Sequence, residues 1–181
     1  MKKLAGVYET TKKDGSVYYR SSVTYKRRHI SLGSYENAQS AHLAYRLALS
    51  VLEPGSPITI ETLSQLYRTE SASLEKSKKN IAKFDSLPFG KAVCLLNFRD
   101  NGIYFSSPIY LKKSFFYYYL TPEITLLFDK EDLFFYSSHR IMKRGGHLFV
   151  AEYGMQTSVL SRNPQLCCKG QRLPLPERRC K

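Results

Sequence analysis

The sequence has no tryptophan and few cysteines: four among 181 residues. Cys94, Cys167, Cys168 and Cys180 include no Cys-x-x-Cys pair, which argues against both a disulfide framework and a zinc site. Such cysteines suit a reducing compartment. A metal held by the three tail cysteines with a histidine, His139 or His147, is the alternative, but the sequence predicts no metal and no cofactor.

Long apolar runs are also missing, since none approaches the ~20 residues that cross a bilayer. The apolar residues after Lys2 and Lys3 end at Tyr8 and Glu9, which is too soon for an export signal. We therefore expect a cytoplasmic protein with no membrane partner.

Negative charge is scarce as well: 15 Asp and Glu stand against 28 Lys and Arg, for a net charge of +13. Residues 1–52 contribute +6 and residues 161–181 contribute +5, whereas residues 53–160 contribute only +2. Basic ends attract phosphate backbones through counterion release. The sequence therefore favours nucleic-acid binding over the alternative, a basic surface that serves only solubility.

Residues 1–55 show the pattern of three strands and a helix. β-prone runs lie at 6–10, 17–25 and 29–33. An Asp14-Gly15 turn separates the first run from the second, and a basic turn at 26–28 separates the second from the third. A helical repeat of alanines follows to about Leu52, where Glu53-Pro54-Gly55 ends it.

Alternation along the strands predicts two faces. The helix is expected to cover Val7, Val23, Ile30 and Leu32. The opposite face, flanked by basic turns, is typical of a sheet that enters a major groove. The candidate DNA-binding residues on this face and its flanks are Tyr8, Lys12, Lys13, Tyr18, Arg20, Ser22, Thr24, Lys26, Arg27, Arg28 and His29.

This segment resembles the AP2 DNA-binding domain. The resemblance rests on Gly6-Val7, the basic hairpin, Leu32-Gly33-Ser34-Tyr35, and a helix with Ala41, Ala44-Tyr45 and Ala48. It covers about fifty residues and implies DNA binding by the exposed face of a three-stranded sheet. The family has Arg where this chain has Tyr8, and Trp in the sheet where this chain has none, so the resemblance implies no base specificity.

Beyond the first module, residues 56–90 are predicted to be a helical linker, with one helix at 60–67 and a polar helix or strap at 71–83. Residues 91–160 are predicted to form a β-rich domain with strands at 91–98, 103–105, 110–111, 115–120 and 124–128. A basic, disordered tail over 161–181 is expected. The fold class is therefore α+β, with a three-stranded antiparallel sheet packed by one helix, a linker and a small β-rich domain.

Twelve of the 24 aromatic residues lie between Tyr104 and Tyr136. They indicate either a stacking platform for single strands or an aromatic core; the absence of interleaved Lys and Arg favours the core. The acidic run Asp129-Lys130-Glu131-Asp132 suggests a nuclease metal site, but consecutive charges point apart and favour a turn or helix start.

The stretch from 129 to 151 resembles the region before the catalytic loop of HNH homing endonucleases. No catalytic His and Asn loop follows, and neither His139 nor His147 matches that pattern. The two resemblances imply a phage or mobile-element protein in a bacterial host that binds duplex DNA and cuts nothing.

A basic DNA binder of this size also resembles anti-CRISPR proteins, which makes a Cas9–guide RNA complex a second expected partner. The alternatives are a phage transcriptional or recombination accessory factor and a remnant HNH homing endonuclease.

Overall fold

The computed structural model describes residues 4–72 and 86–153. They form an α+β fold, as the sequence predicts. The first sheet is antiparallel with strand order β1-β2-β3. Its strands are β1 (Val7–Thr11), β2 (Val17–Tyr25) and β3 (Arg28–Tyr35), in the places that the β-prone runs indicate.

The predicted turn between β1 and β2 forms at Asp14 and Gly15. Gly15 has φ +82°, which a residue without a Cβ adopts freely. The Asp14 carboxylate accepts hydrogen bonds from the Ser16 hydroxyl and amide at 2.6 and 2.9 Å, and these bonds lower the pKa of Asp14.

Helix α1 (Ala38–Leu52) covers one face of the first sheet, as its alanine repeat predicts. Its buried Ala41, Ala44 and Ala48 allow the helix to lie close to the strands, whose contribution to the core is Val23, Ile30 and Leu32. Helix α2 (Ile60–Ala72) confirms the predicted linker helix and extends beyond it.

The predicted strand at 91–98 is wrong: these residues lie within helix α3 (Phe89–Asn101). Residues 92 to 98 are all buried, so apolar residues surround the helix and leave no periodicity to distinguish it from a buried strand. Asn101-Gly102 is a pair typical of hairpin turns, but here Gly102 ends α3 in the left-handed conformation with φ 72°.

A second antiparallel sheet follows, with strands β4 (Ile109–Leu111), β5 (Phe115–Tyr119) and β6 (Thr125–Asp129). The strand predicted at 103–105 is absent from this described segment, which is a loop. The acidic run forms a 3-10 turn, Lys130–Asp132, that leads into α4 (Leu133–Ser138), as expected of a helix start. Strands β7 (Ile141–Arg144) and β8 (His147–Val150) form a hairpin, and a 3-10 turn, Ala151–Tyr153, follows.

One hydrophobic core contains residues from both sides of the predicted boundary at residue 91. Val23 and Leu52 of the first module pack in the same cluster as Leu95 of α3 and Tyr119 of β5. A second cluster lies on the other face of the second sheet and includes Phe116 and Tyr118. The expected strap beyond Ala72 and the basic tail over 161–181 lie outside the described residues.

Candidate nucleic-acid interface

The face of the first sheet that α1 leaves uncovered is called the outer face here. The strand register places Tyr8 opposite Arg20, Arg20 opposite Ser34, and Thr24 opposite His29. All five side chains are exposed; Tyr8 is 57% exposed, which is unusual for a tyrosine. Thr24 and His29 also contact each other, with Oγ1 and Nδ1 3.4 Å apart.

Tyr18 lies on β2 near the turn that joins β1 to β2, and two cations are close to its ring. The Lys12 Nζ is 5.8 Å and the Arg20 Cζ 5.6 Å from the centre of its ring. Contacts of this kind attract a cation to an aromatic face and stabilise the pair by about 0.5–1 kcal/mol when exposed. Lys13, which follows Lys12, is exposed as well, so this end of the face presents two cations around one aromatic ring and a third next to them in the sequence.

The turn between β2 and β3 adopts an uncommon backbone. Lys26 and Arg27 both have positive φ, 46° and 64°, although neither is glycine or asparagine. A two-residue hairpin turn of this geometry normally uses Asn-Gly because side chains with a Cβ are strained there. The hairpin tip therefore consists of two cationic residues with a strained backbone.

Two of the three cations at that tip do not flank the outer face as the sequence predicts. Arg28 pairs with Tyr25 on the face that α1 covers, and its guanidinium carbon lies 4.6 Å from the ring centre of Tyr104. The Lys26 ammonium donates to the Arg99 carbonyl at 3.3 Å and lies over the Tyr25 ring. Both side chains turn toward α3 because α3 packs beside the hairpin end, and sequence alternation carries no information on that neighbour. Arg27 remains exposed at the tip.

Ser22 differs from its prediction too, because it is only 8% exposed. A β-bulge interrupts the register here: Ser21 pairs with Gly33 and Ser22 with Ser31, which leaves Leu32 as an extra residue in β3. Among the described residues, neither Ser21 Oγ nor Ser22 Oγ has a hydrogen-bond partner. The exposed hydroxyls on the outer face belong instead to Thr24, Ser31 and Ser34.

Carboxylates are absent from the outer face. Between Val7 and Tyr35, all of which the structure describes, the acidic residues are Glu9 and Asp14. Glu9 pairs with Tyr19, and by alternation along β1 it lies on the face opposite to Tyr8. Asp14 accepts hydrogen bonds from Ser16 in the turn. The outer face is thus an exposed surface of hydroxyl, aromatic and cationic groups without a negative charge to repel phosphate.

The aromatic side chains of the second half are mostly core. Phe116, Tyr118, Tyr119, Phe128 and Tyr136 are all buried, and the Tyr118 hydroxyl accepts a hydrogen bond from the Ile141 amide at 3.0 Å. This burial supports the aromatic core over the stacking platform. Phe134 is the clear exception, since it is 92% exposed beside the acidic turn.

The residues suggested as metal ligands or catalysts do not converge. Among the described residues, no three His, Cys, Asp or Glu side chains are placed to hold a metal ion. The His139 ring stacks on Phe135 with centroids 4.2 Å apart, and its Nδ1 lies 2.8 Å from the Phe135 carbonyl. The tail cysteines lie outside the described residues.

Two contributors near the interface were not predicted. Tyr104 and Lys91 lie next to Arg28 at the hairpin tip, and only the position of α3 brings them there. Ser31 could have been predicted, because it alternates with Ile30 and Leu32.

None of the helices in the described parts of the chain is long and apolar enough to cross a membrane. Comparisons with protein-family models, with curated proteins and with solved structures find no match to this chain.

Proposed function

We propose that the protein binds double-stranded DNA through the outer face of the first sheet. The observation that carries this proposal is an exposed strand surface with Arg20 at its centre, hydroxyls around it and no carboxylate. Solvation alone does not require an exposed Tyr8 and a half-buried Tyr18 beside the cations. A groove-binding surface uses such groups together, since aromatic and hydroxyl groups contact bases and sugars while cations contact phosphates.

A pair of neighbouring strands of this three-stranded sheet could supply the contact. B-DNA has a major groove about 12 Å wide that admits a two-stranded ribbon. The Arg20 fork can reach a guanine edge or a phosphate in two hydrogen bonds, and Thr24 and His29 extend the same row toward the hairpin tip. Lys12, Lys13 and Arg27 stand at the two ends of this row, where phosphates would border the groove.

The resemblance to the AP2 domain gains support from one contact. Gly6 and Tyr45, which are two of the residues that carry it, meet in the structure: a Cβ on Gly6 would overlap the Tyr45 ring. The pattern of Gly-Val before the sheet and Ala-Tyr in the helix therefore has a packing reason here. This supports a related architecture for the first module, with the binding face on the side of the sheet away from α1.

The test is duplex binding across a salt series for the wild-type chain, Arg20→Gln and Lys143→Gln. Each lost phosphate contact lowers the slope of log affinity against log salt by about 0.9. Arg20→Gln is expected to weaken binding at least about fivefold, since a bidentate arginine contact contributes about 1–3 kcal/mol. Lys143 is an exposed cation on β7, so Lys143→Gln makes the same change of charge outside the outer face. Equal effects of both variants would contradict the proposal.

We further propose that this binding inhibits DNA cutting by a guide-loaded Cas9 without any cleavage by the protein itself. The non-enzymatic part is supported by His139, whose ring is stacked on Phe135 and whose Nδ1 lies at the Phe135 carbonyl. Adding the protein to a Cas9 cleavage reaction should then reduce product, and Arg20→Gln should restore it. Unchanged cleavage despite DNA binding would favour an accessory factor in transcription or recombination. Nicking that depends on added Mg²⁺ would favour a remnant endonuclease.

A further inference from the structure

Two cations from distant parts of the chain converge on one aromatic ring at the hairpin tip. The Arg28 guanidinium carbon lies 4.6 Å from the centre of the Tyr104 ring, and the Lys91 Nζ lies 6.0 Å from the same centre. The Lys91 ammonium also donates a hydrogen bond to the Tyr104 hydroxyl at 3.2 Å. Arg28 belongs to β3, Lys91 to the first turn of α3, and Tyr104 to the loop after α3.

No carboxylate compensates these charges within the part of the chain that the structure describes. The salt bridge found there joins Arg99 to Asp100, and it includes neither Arg28 nor Lys91. Two like charges around one ring repel each other. The ring attracts the Arg28 guanidinium, by about 0.5–1 kcal/mol when exposed, whereas the Lys91 ammonium lies at the hydroxyl edge and gains only the hydrogen bond. An anion placed between them would be attracted by both.

A similar pair elsewhere in the fold differs in this respect. The Lys112 Nζ lies 5.1 Å from the centre of the Tyr110 ring, but the Tyr110 hydroxyl donates to the Asp100 carboxylate at 3.0 Å. That ring has one cation over it and a carboxylate beside its hydroxyl, and the carboxylate also pairs with Arg99. The Tyr104 site has two cations and no such partner.

We infer that Arg28, Lys91 and Tyr104 form a binding site for a backbone phosphate of the bound duplex, next to the outer face. This inference rests on the proposed DNA binding and extends the contact surface from the first module onto α3. The chemistry fits a phosphate: the arginine fork offers two parallel donors, and lysine supplies a point charge. Because Lys91 donates to the Tyr104 oxygen, the phenolic proton remains available to donate to a phosphate oxygen.

The location fits a phosphate at the border of the contact. The site lies at the hairpin tip beside Arg27 but on the other side of the sheet from Arg20. A phosphate there would be reached only by a duplex that extends past the tip of β2 and β3. A short duplex that ends at the tip would leave the site empty.

The experiment measures the salt dependence of duplex affinity for the full chain, Lys91→Gln and Lys112→Gln. Lys91→Gln is expected to lower the slope of log affinity against log salt by about 0.9, whereas the matched Lys112→Gln leaves it unchanged. A second variant, Tyr104→Phe, keeps the ring and removes the hydroxyl. It should weaken binding while leaving the slope at the wild-type value, because it removes no charge.

The outcomes separate this inference from the proposed function. If Arg20→Gln lowers the slope but Lys91→Gln does not, the site at Tyr104 does not bind phosphate and the outer face remains the binding surface. If Lys91→Gln and Lys112→Gln lower the slope equally, the effect is one of general charge and the inference is wrong. If the wild-type chain binds no duplex at any salt concentration, the proposed function fails and this inference fails with it.

Discussion

At the scale of single residues, Gly6 is the clearest case of a position with one acceptable amino acid. It has φ +73°, and a Cβ would overlap the Tyr45 ring of α1. Gly15 also has a positive φ, +82°, but there is open space around it. Gly6→Ala should therefore lower the unfolding free energy more than Gly15→Ala does. We expect about 1–2 kcal/mol for Gly15→Ala from the backbone alone and a further 1–3 kcal/mol for Gly6→Ala from overpacking. Urea unfolding measures both; equal losses would show that Tyr45 moves aside freely.

Ionisation of the Cys94 thiol should lower the unfolding free energy at alkaline pH. Burial raises the pKa of its thiol from 9.0 to about 12, and the thiol donates to the Ser107 carbonyl at 3.3 Å. Because the folded pKa lies above the unfolded one, the neutral thiol stabilises the fold fully below pH 9, and this contribution declines as the pH rises from 9 to 12.

The unfolding free energy should then fall by up to about 1.4 kcal/mol per pH unit above pH 9 on account of Cys94. Cys94→Ala lowers stability at pH 8 by opening a cavity, but it removes this share of the alkaline slope. The tyrosines with raised pKa, such as Tyr110 at about 12, remain in both proteins, so the difference between the two slopes isolates the thiol. Identical slopes would contradict the assignment.

How far the sequence predicted the interface also becomes clear at the residue scale. Alternation placed Tyr8, Arg20, Thr24 and His29 on one exposed face, and the structure has them there. It could not place Arg28, because the direction of that side chain depends on the position of α3, more than sixty residues away. Ser22 was missed for a different reason: a one-residue bulge interrupts the register beside it. Gly33, which lies at the bulge with φ 152°, is the residue that could have indicated it.

At the scale of elements, the hairpin of β2 and β3 combines strain with charge. Arg27 has φ 64° at the exposed tip. Asparagine tolerates this conformation better than arginine does. Arg27→Asn should therefore preserve or raise the unfolding free energy, by up to about 1 kcal/mol, while lowering the salt slope of duplex binding by about 0.9.

The matched control is Arg46→Gln, which removes an exposed cation from α1 on the other side of the first sheet. Thermal unfolding measures the change in stability, and the salt series measures the change in the slope of duplex affinity. A loss of stability in Arg27→Asn would show that the backbone at Arg27 is not strained by its side chain. An unchanged slope would show that Arg27 contacts no phosphate.

Helix α3 shows why sequence patterns failed for one element. A helix that is buried on all sides has no polar stripe, so the run from Ala92 to Phe98 has the composition of a buried strand. Its ending at Gly102 was equally ambiguous, because Asn-Gly is typical of hairpin turns and Gly is also the common residue after a helix. Length would have separated the two only if the start at Phe89 had been recognised.

Asn97 fixes this helix to the second sheet. Its side chain is fully buried; Oδ1 accepts from the Leu111 amide at 2.8 Å, and Nδ2 donates to the Ile103 carbonyl at 2.7 Å. Asn97→Ala leaves both backbone groups without their partners and should cost about 2–4 kcal/mol. Asn101 is exposed, but its Nδ2 donates to the Asn97 Oδ1 at 2.8 Å, so Asn101→Ala removes one bond of the same network. It should cost less than Asn97→Ala, about 0.5–1.5 kcal/mol, because water can replace an exposed donor. Urea unfolding of both variants checks this; similar losses would show that water replaces the Asn97 contacts.

At the scale of the whole molecule, the binding face and the rest of the chain share a core. Leu32 of β3 packs in the same cluster as Leu52 of α1 and Leu96 of α3. The Arg99 guanidinium adds to this connection by donating to the Val51 and Ile58 carbonyls at 2.9 and 2.8 Å, where α1 leads to α2. The outer face is therefore held on a scaffold larger than the first fifty residues, which fixes its shape.

The central claim is that this outer face contacts duplex DNA, and backbone amide NMR tests it most directly. Titrating a short duplex into the ¹⁵N-labelled full chain should shift the amide signals at Tyr8, Arg20, Thr24 and His29. The signals of the buried strand β5 should stay in place. Shifts confined to the second sheet and the exposed Phe134, or no shifts at a duplex concentration in excess of the protein, would contradict the claim.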